Sequence, residues 1–166
     1  MTVMSVDKNL EALTMSITAE FDASIEAVWQ MWENPRRLER WWGPPTYPAT
    51  VVDFDFSPGG NVSYFMTSPE GDQYRGWWRV LSIEAPHRLE FEDGFADDAG
   101  VPNLEMPVTR TRVSLDAQSG TTRMTIETSF PSAAAMEQMV EMGMEEGMSA
   151  ALGQIDELLQ QDAAAR

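Results

Sequence analysis

Few residues of this chain could do chemistry, and their spacing is informative mainly for what it excludes. The 166 residues contain one histidine and no cysteine. Disulfides, thiolate metal sites and cysteine nucleophiles are therefore excluded. A Ser-His-acid triad would have to use His87, which follows Pro86 at an expected strand start, where a single histidine is usually a solvated residue. Gly147-Met148-Ser149 is followed by Ala150-Ala151, so the G-x-S-x-G elbow fails, and it falls inside an expected helix. There is no GxGxxG, no phosphate-binding loop and no HExxH. Asp53 and Asp55 lie two apart on an expected strand, so they share a face and could bind a hard cation. Val52, Phe54 and Phe56 claim the buried face there, which puts the aspartates in solvent. Asp93, Asp97 and Asp98 lack the spacing of an EF-hand and read as a solvated loop. No metal and no cofactor is expected. With no acid, base or nucleophile set in view, binding without catalysis is the favoured reading.

The elements that would position a binding site are clearer. From Ser132 to Gln161, Met136, Met139, Val140, Met144, Met148, Leu152, Ile155 and Leu159 recur at steps of three or four, the period of an amphipathic helix. Ser132 after Pro131 is a good N-cap, and one helix is expected to run to about Gln160. Gly143, Gly147 and Ala151 form a line of small residues within the stripe. Interior glycine costs about 1 kcal/mol relative to alanine, so something else favours it. Two readings stay open: close helix-on-sheet packing, or a hollow floored by small residues and walled by Met144 and Met148. Methionine adapts to irregular surfaces and suits the second.

Upstream, Met1 to Leu10 shows no period and reads as a flexible arm, with one domain over 11–162. Leu13 to Phe21 alternates as a half-buried strand. Two short helices follow, broken at Asn34-Pro35 and ended by Gly43-Pro44-Pro45. A meander of strands comes next: 47–56, 61–67, 73–83, 88–92, and a hairpin of 108–116 with 121–130. Asp93 to Pro107 reads as a long acidic loop. This segregated order indicates an α+β fold. The net charge is −16, from 11 basic and 27 acidic residues. That excludes the basic footprint of a nucleic-acid binder and disfavours anionic membrane surfaces. No signal-peptide pattern and no bilayer-length apolar run is present, so no membrane insertion and a cytoplasmic location are expected.

Several motifs in this order resemble the Hsp90-ATPase-activator homologues (the AHSA1-like group) of the START-like, or SRPBCC, superfamily. They are Phe21-Asp22-Ala23-Ser24 with Val28-Trp29, Leu38-Glu39-Arg40-Trp41-Trp42-Gly43-Pro44, and Asp55-Phe56-Ser57-Pro58-Gly59-Gly60. Tyr74-Arg75-Gly76, Pro86-His87-Arg88-Leu89, and Gly147-Met148 before Leu152 complete the set. Ser57 stands where the family often has arginine, and Met148 where it often has tryptophan. The resemblance implies a helix-grip (START/Bet v 1-like) fold, in which a curved antiparallel sheet wraps a long C-terminal helix around a cavity. It implies Trp41, Trp42, Tyr47, Tyr64, Trp78, Phe91 and Met124 as cavity mouth and walls, beside Gly143, Met144, Gly147 and Met148. Tyr64 and Arg110 are the polar candidates. The first expectation for function is non-enzymatic binding of a small apolar ligand. A polyketide cyclase or aromatase-type enzyme and a protein-interaction module, such as a chaperone partner or homodimer, are the alternatives.

Overall fold

The structure is a computed structural model and describes residues 2–164. Its strands are β1 (Thr2–Asn9), β2 (Thr14–Phe21), β3 (Ala49–Phe54), β4 (Asn61–Thr67), β5 (Gln73–Glu84), β6 (Arg88–Phe95), β7 (Thr109–Ala117) and β8 (Thr122–Ser129). They form one curved antiparallel sheet in the order β1-β2-β8-β7-β6-β5-β4-β3. Helices α1 (Ile25–Glu33) and α2 (Pro35–Trp41) follow β2. The chain ends in α3 (Ala133–Glu141), α4 (Met144–Leu152) and α5 (Ile155–Ala164), which lie on the face of the sheet that holds the core. This is the helix-grip arrangement expected from the sequence.

Local chemistry sets these elements. Strand β2 buries every second residue, from Met15 to Phe21, as its alternation requires. Ser24 caps α1 by accepting from the Ala27 amide at 3.2 Å. Asn34 caps α2 by accepting from the Arg36 amide at 2.9 Å, with Pro35 at the first helical position. Gly43 ends that stretch because a Cβ there would lie 2.0 Å from the Tyr47 carbonyl oxygen. The core joins the inner sheet face to Trp32 and Trp41 on the short helices, and to Leu152, Ile155 and Leu158 at the C-terminal end.

Four expectations need correction. Residues 2–9 are not a loose arm but the edge strand β1, paired along β2. Backbone pairing needs no side-chain period, so the sequence carried no signal for it. Strand β3 is shorter than 47–56, and its inward residues are Ala49 and Val51, so alternation puts Val52 outward, 54% exposed, at a register shift between Val51 and Asp53. Strand β6 does not stop at Glu92; it runs through Asp93 to Phe95. The C-terminal helix comes in three pieces. Gly143 adopts φ +88°, which a right-handed helix cannot propagate, so α3 closes there and α4 starts anew without a side-chain cap. At the second junction the turn tightens, with the Gln154 amide donating to Ala151 three residues back. The Gln154 side chain then donates to the carbonyl of Gly43 at 2.7 Å and pins the loop after α2.

Candidate ligand-binding site

One stretch of the inner sheet face is polar. On β4, Tyr64 is buried, and its Cα partner on β5 is Gly76. A Cβ on Gly76 would lie 2.4 Å from the Tyr64 hydroxyl, so only glycine lets the tyrosine ring lie across β5. The ring delivers its hydroxyl to Asp93 on β6, donating to the carboxylate at 3.1 Å. Asp93 shares its strand face with Leu89 and Phe91 and is partly buried. Beside it on β7 is buried Thr109, whose hydroxyl donates to the Asp93 carbonyl at 3.4 Å. Met139 of α3 closes the space above. Together with Gly94 and Phe95, these residues enclose a cavity of about 60 Å³.

The electrostatics follow from enclosure. Desolvation pushes the Asp93 carboxyl up to about 7, although the Tyr64 hydroxyl and the Gly94 amide both favour its ionised form. Desolvation, and then the neighbouring Asp93 charge, push the Tyr64 hydroxyl well above its ordinary range. The indoles of Trp42 and Trp78 oppose that rise by turning positive N–H groups toward the phenol oxygen. Neither N–H reaches it with hydrogen-bond geometry, and both are buried without a protein partner. The two rings stand edge to face at 4.8 Å, and Trp42 stands edge to face on Tyr64 at 6.0 Å.

The structure thus brings Trp42, Tyr64, Trp78 and Phe91 together, with Phe91 stacked on Trp78 at 4.0 Å. Trp41 and Met124 lie deeper in the core: the Trp41 indole donates to the Met31 carbonyl, and Met124 sulfur faces the Trp32 indole. Met144 and Met148 are partly buried and pack on the core from α4. Gly147 is partly exposed, and a Cβ there would meet nothing within 4 Å; at Gly143 it would meet only Glu146, at 3.8 Å. Two of the residues named from the sequence stand elsewhere. Tyr47 is 37% exposed, in a loop beside Tyr74. Arg110 projects from the outer face of β7 and pairs with Glu90. The residue that sequence reasoning missed is Asp93, hidden in an acidic, glycine-bearing stretch. His87 is exposed, and among the described residues no group of three or more His, Asp or Glu comes together in a way that could hold a metal.

A model of the family described as "Activator of Hsp90 ATPase homolog 1-like protein" matches residues 22–160. The chain belongs to this family. Every residue of the candidate site, from Trp42 to Met148, falls inside the matched span. An NMR structure of a protein from Arthrobacter aurescens is 54% identical, with a TM-score of 0.93 over 96% of this chain and 93% of that one. The crystal structure of Ms6760 from Mycobacterium smegmatis is 46% identical, with a TM-score of 0.88 over 95% and 96%. An NMR structure of a protein from Staphylococcus epidermidis is 28% identical, with a TM-score of 0.83 over 96% and 95%. The search of curated proteins found no match. No helix among the described residues is long and apolar enough to cross a membrane.

Proposed function

We propose that the domain binds a small, mainly apolar molecule between the sheet and α3–α4, without transforming it. The observation that carries this reading is the unfinished packing over the polar stretch. A 60 Å³ cavity lies under Met139, and the adjoining α4 offers partly exposed methionines and a glycine with no neighbour. That volume holds about two waters at ~30 Å³ each. Ligand sites of ~300–1,000 Å³ are usual, so a ligand enters by displacing the cover. Methionines can repack around it, and the left-handed joint at Gly143 lets α4 shift relative to α3. Native mass spectrometry of the purified protein tests this directly: the expected result is a co-purifying small molecule, released on denaturation. A protein that carries no molecule and binds no hydrophobic dye would overturn the reading.

The enzyme alternative gains one specific support. Asp93, held near 7 and hydrogen-bonded to Tyr64, has the make-up of a proton-transfer pair. Turnover that disappears in Asp93→Asn while binding persists would favour it over simple binding. Protein interaction is less well supported: of the exposed large apolar residues Leu10, Tyr47, Val52, Tyr74, Val101, Leu104 and Met142, Tyr47 and Tyr74 make a ring pair, which is far short of a wide apolar patch.

A further inference from the structure

The polar end of the cavity has a definite hydrogen-bond sense. Every group that reaches the Asp93 carboxylate is a donor: the Tyr64 hydroxyl at 3.1 Å and the Gly94 amide. The two buried indole N–H groups of Trp42 and Trp78 favour the Tyr64 phenol oxygen and do not line the cavity. Thr109 spends its hydroxyl on a backbone carbonyl. No basic side chain lines the cavity, and among the described residues Asp93 makes no ion pair. A carboxylate has about four acceptor sites, and two donors do not fill them. What the wall presents to an occupant is therefore acceptor capacity, set among the rings of Tyr64 and Phe95 and the thioether of Met139.

We propose that the ligand is an apolar ring molecule carrying a hydroxyl group, and that this hydroxyl donates to the Asp93 carboxylate. This rests on the reading of the cavity as a ligand site. A ketone or ether oxygen at the same place would face acceptor lone pairs with nothing to accept from, and a buried polar group left unpaired is strongly disfavoured. An anion would meet the carboxylate's own charge. Among the described residues, Tyr64 is the titratable group bonded to Asp93; Trp78 on β5, Thr109 on β7 and Met139 on α3 are uncharged. The preference should therefore follow the ionisation of Asp93 alone. It should be full above neutrality and fade as the carboxyl takes its proton and becomes a donor itself.

The experiment compares 2-naphthol with its methyl ether, 2-methoxynaphthalene, by calorimetric titration of the intact protein at pH 8 and pH 5.5. The two probes share their rings and differ in the donor. At pH 8 the naphthol is expected to bind at least tenfold tighter, with the preference shrinking several-fold at pH 5.5. Asp93→Asn keeps the size and an acceptor oxygen but cannot titrate, so its preference should be flat with pH. Equal affinities at pH 8, or a tighter ether, would overturn the donor-bearing ligand class while leaving the cavity reading standing. A pH-dependent preference that persists in Asp93→Asn would place the hydroxyl elsewhere and also overturn it. No binding of either probe, together with no dye binding, would overturn both readings.

Discussion

Two pairs of buried tryptophans sit within one aromatic cluster and are treated differently by the fold. Trp32 and Trp41 stand edge to face at 4.8 Å, and each indole N–H has a partner, the Met124 sulfur at 3.3 Å and the Met31 carbonyl at 2.9 Å. Trp42 and Trp78, also at 4.8 Å, have none. A buried donor without a partner costs about 1–3 kcal/mol. Trp42 stands instead against Tyr64, whose far side borders the cavity closed by Met139 of α3. The contrast separates a region built for stability from one where stability is given up, which is a common mark of a site.

The largest expected effect lies at the closed end. Trp32→Ala removes a fully buried ring that touches Trp41, Trp42, Trp78 and Phe91, and should destabilise by about 3–5 kcal/mol in urea titration. A loss under 1 kcal/mol would break the contrast, because the fully bonded pair would then add no stability of its own.

The open end should announce itself through pH. Asp93 has its folded carboxyl raised from 3.8 to about 7. Protonated, it costs nothing extra; between about 4 and 7 the unfolded chain is ionised while the folded one holds its proton. Stability is therefore lost by about 1.4 kcal/mol per pH unit across that window and levels off above it. Asp93→Asn does not titrate, so its stability relative to the wild type should climb from pH 4 to pH 7 and then plateau. Parallel pH profiles for the two proteins would show that the carboxyl is not enclosed.

A smaller effect, about 1–3 kcal/mol, is expected for Gly76→Ala, whose new methyl collides with the Tyr64 ring. It should also separate Tyr64 from Asp93, and because the Tyr64 hydroxyl favours the ionised carboxylate, its loss should push the Asp93 carboxyl further up. Gly147→Leu should have the smallest effect on stability, a gain of about 0.5–1 kcal/mol from helix propensity, because a Cβ there meets nothing. Dye binding should nonetheless fall. A loss of stability instead would mean that α4 already seats tightly on the sheet.

These contrasts were legible in the sequence only in part. Period-two and period-3.6 patterns located β2, the β7–β8 hairpin and the C-terminal helical run, since burial on one face imposes those periods directly. Arg110 could have been assigned correctly by the same rule. It has opposite parity to Val113 and Leu115, so it must face outward, while Thr109 and Thr111 face inward. Asp93 has the parity of Leu89 and Phe91, an inward signal masked by the acidic residues and glycines that follow. The joint at Gly143 was hidden for another reason: glycine at a helical period is compatible with either φ sign, and only the packed structure selects one. Strand β1 pairs along β2 with Val6 against the core and Lys8 ion-paired to Glu145 of α4, but one half-buried valine among exposed neighbours makes no period to read.

The central claim is that the end bearing Trp42 and Trp78 receives a ligand and the end bearing Trp32 and Trp41 does not. Indole N–H resonances report this side chain by side chain. In a two-dimensional ¹H–¹⁵N spectrum titrated with 2-naphthol at pH 8, the signals of Trp42 and Trp78 should shift strongly and saturably. Those of Trp32 and Trp41, already bonded, should stay nearly still. Equal movement of all four, or movement of Trp32 and Trp41 alone, would contradict the division of the core on which the whole account stands.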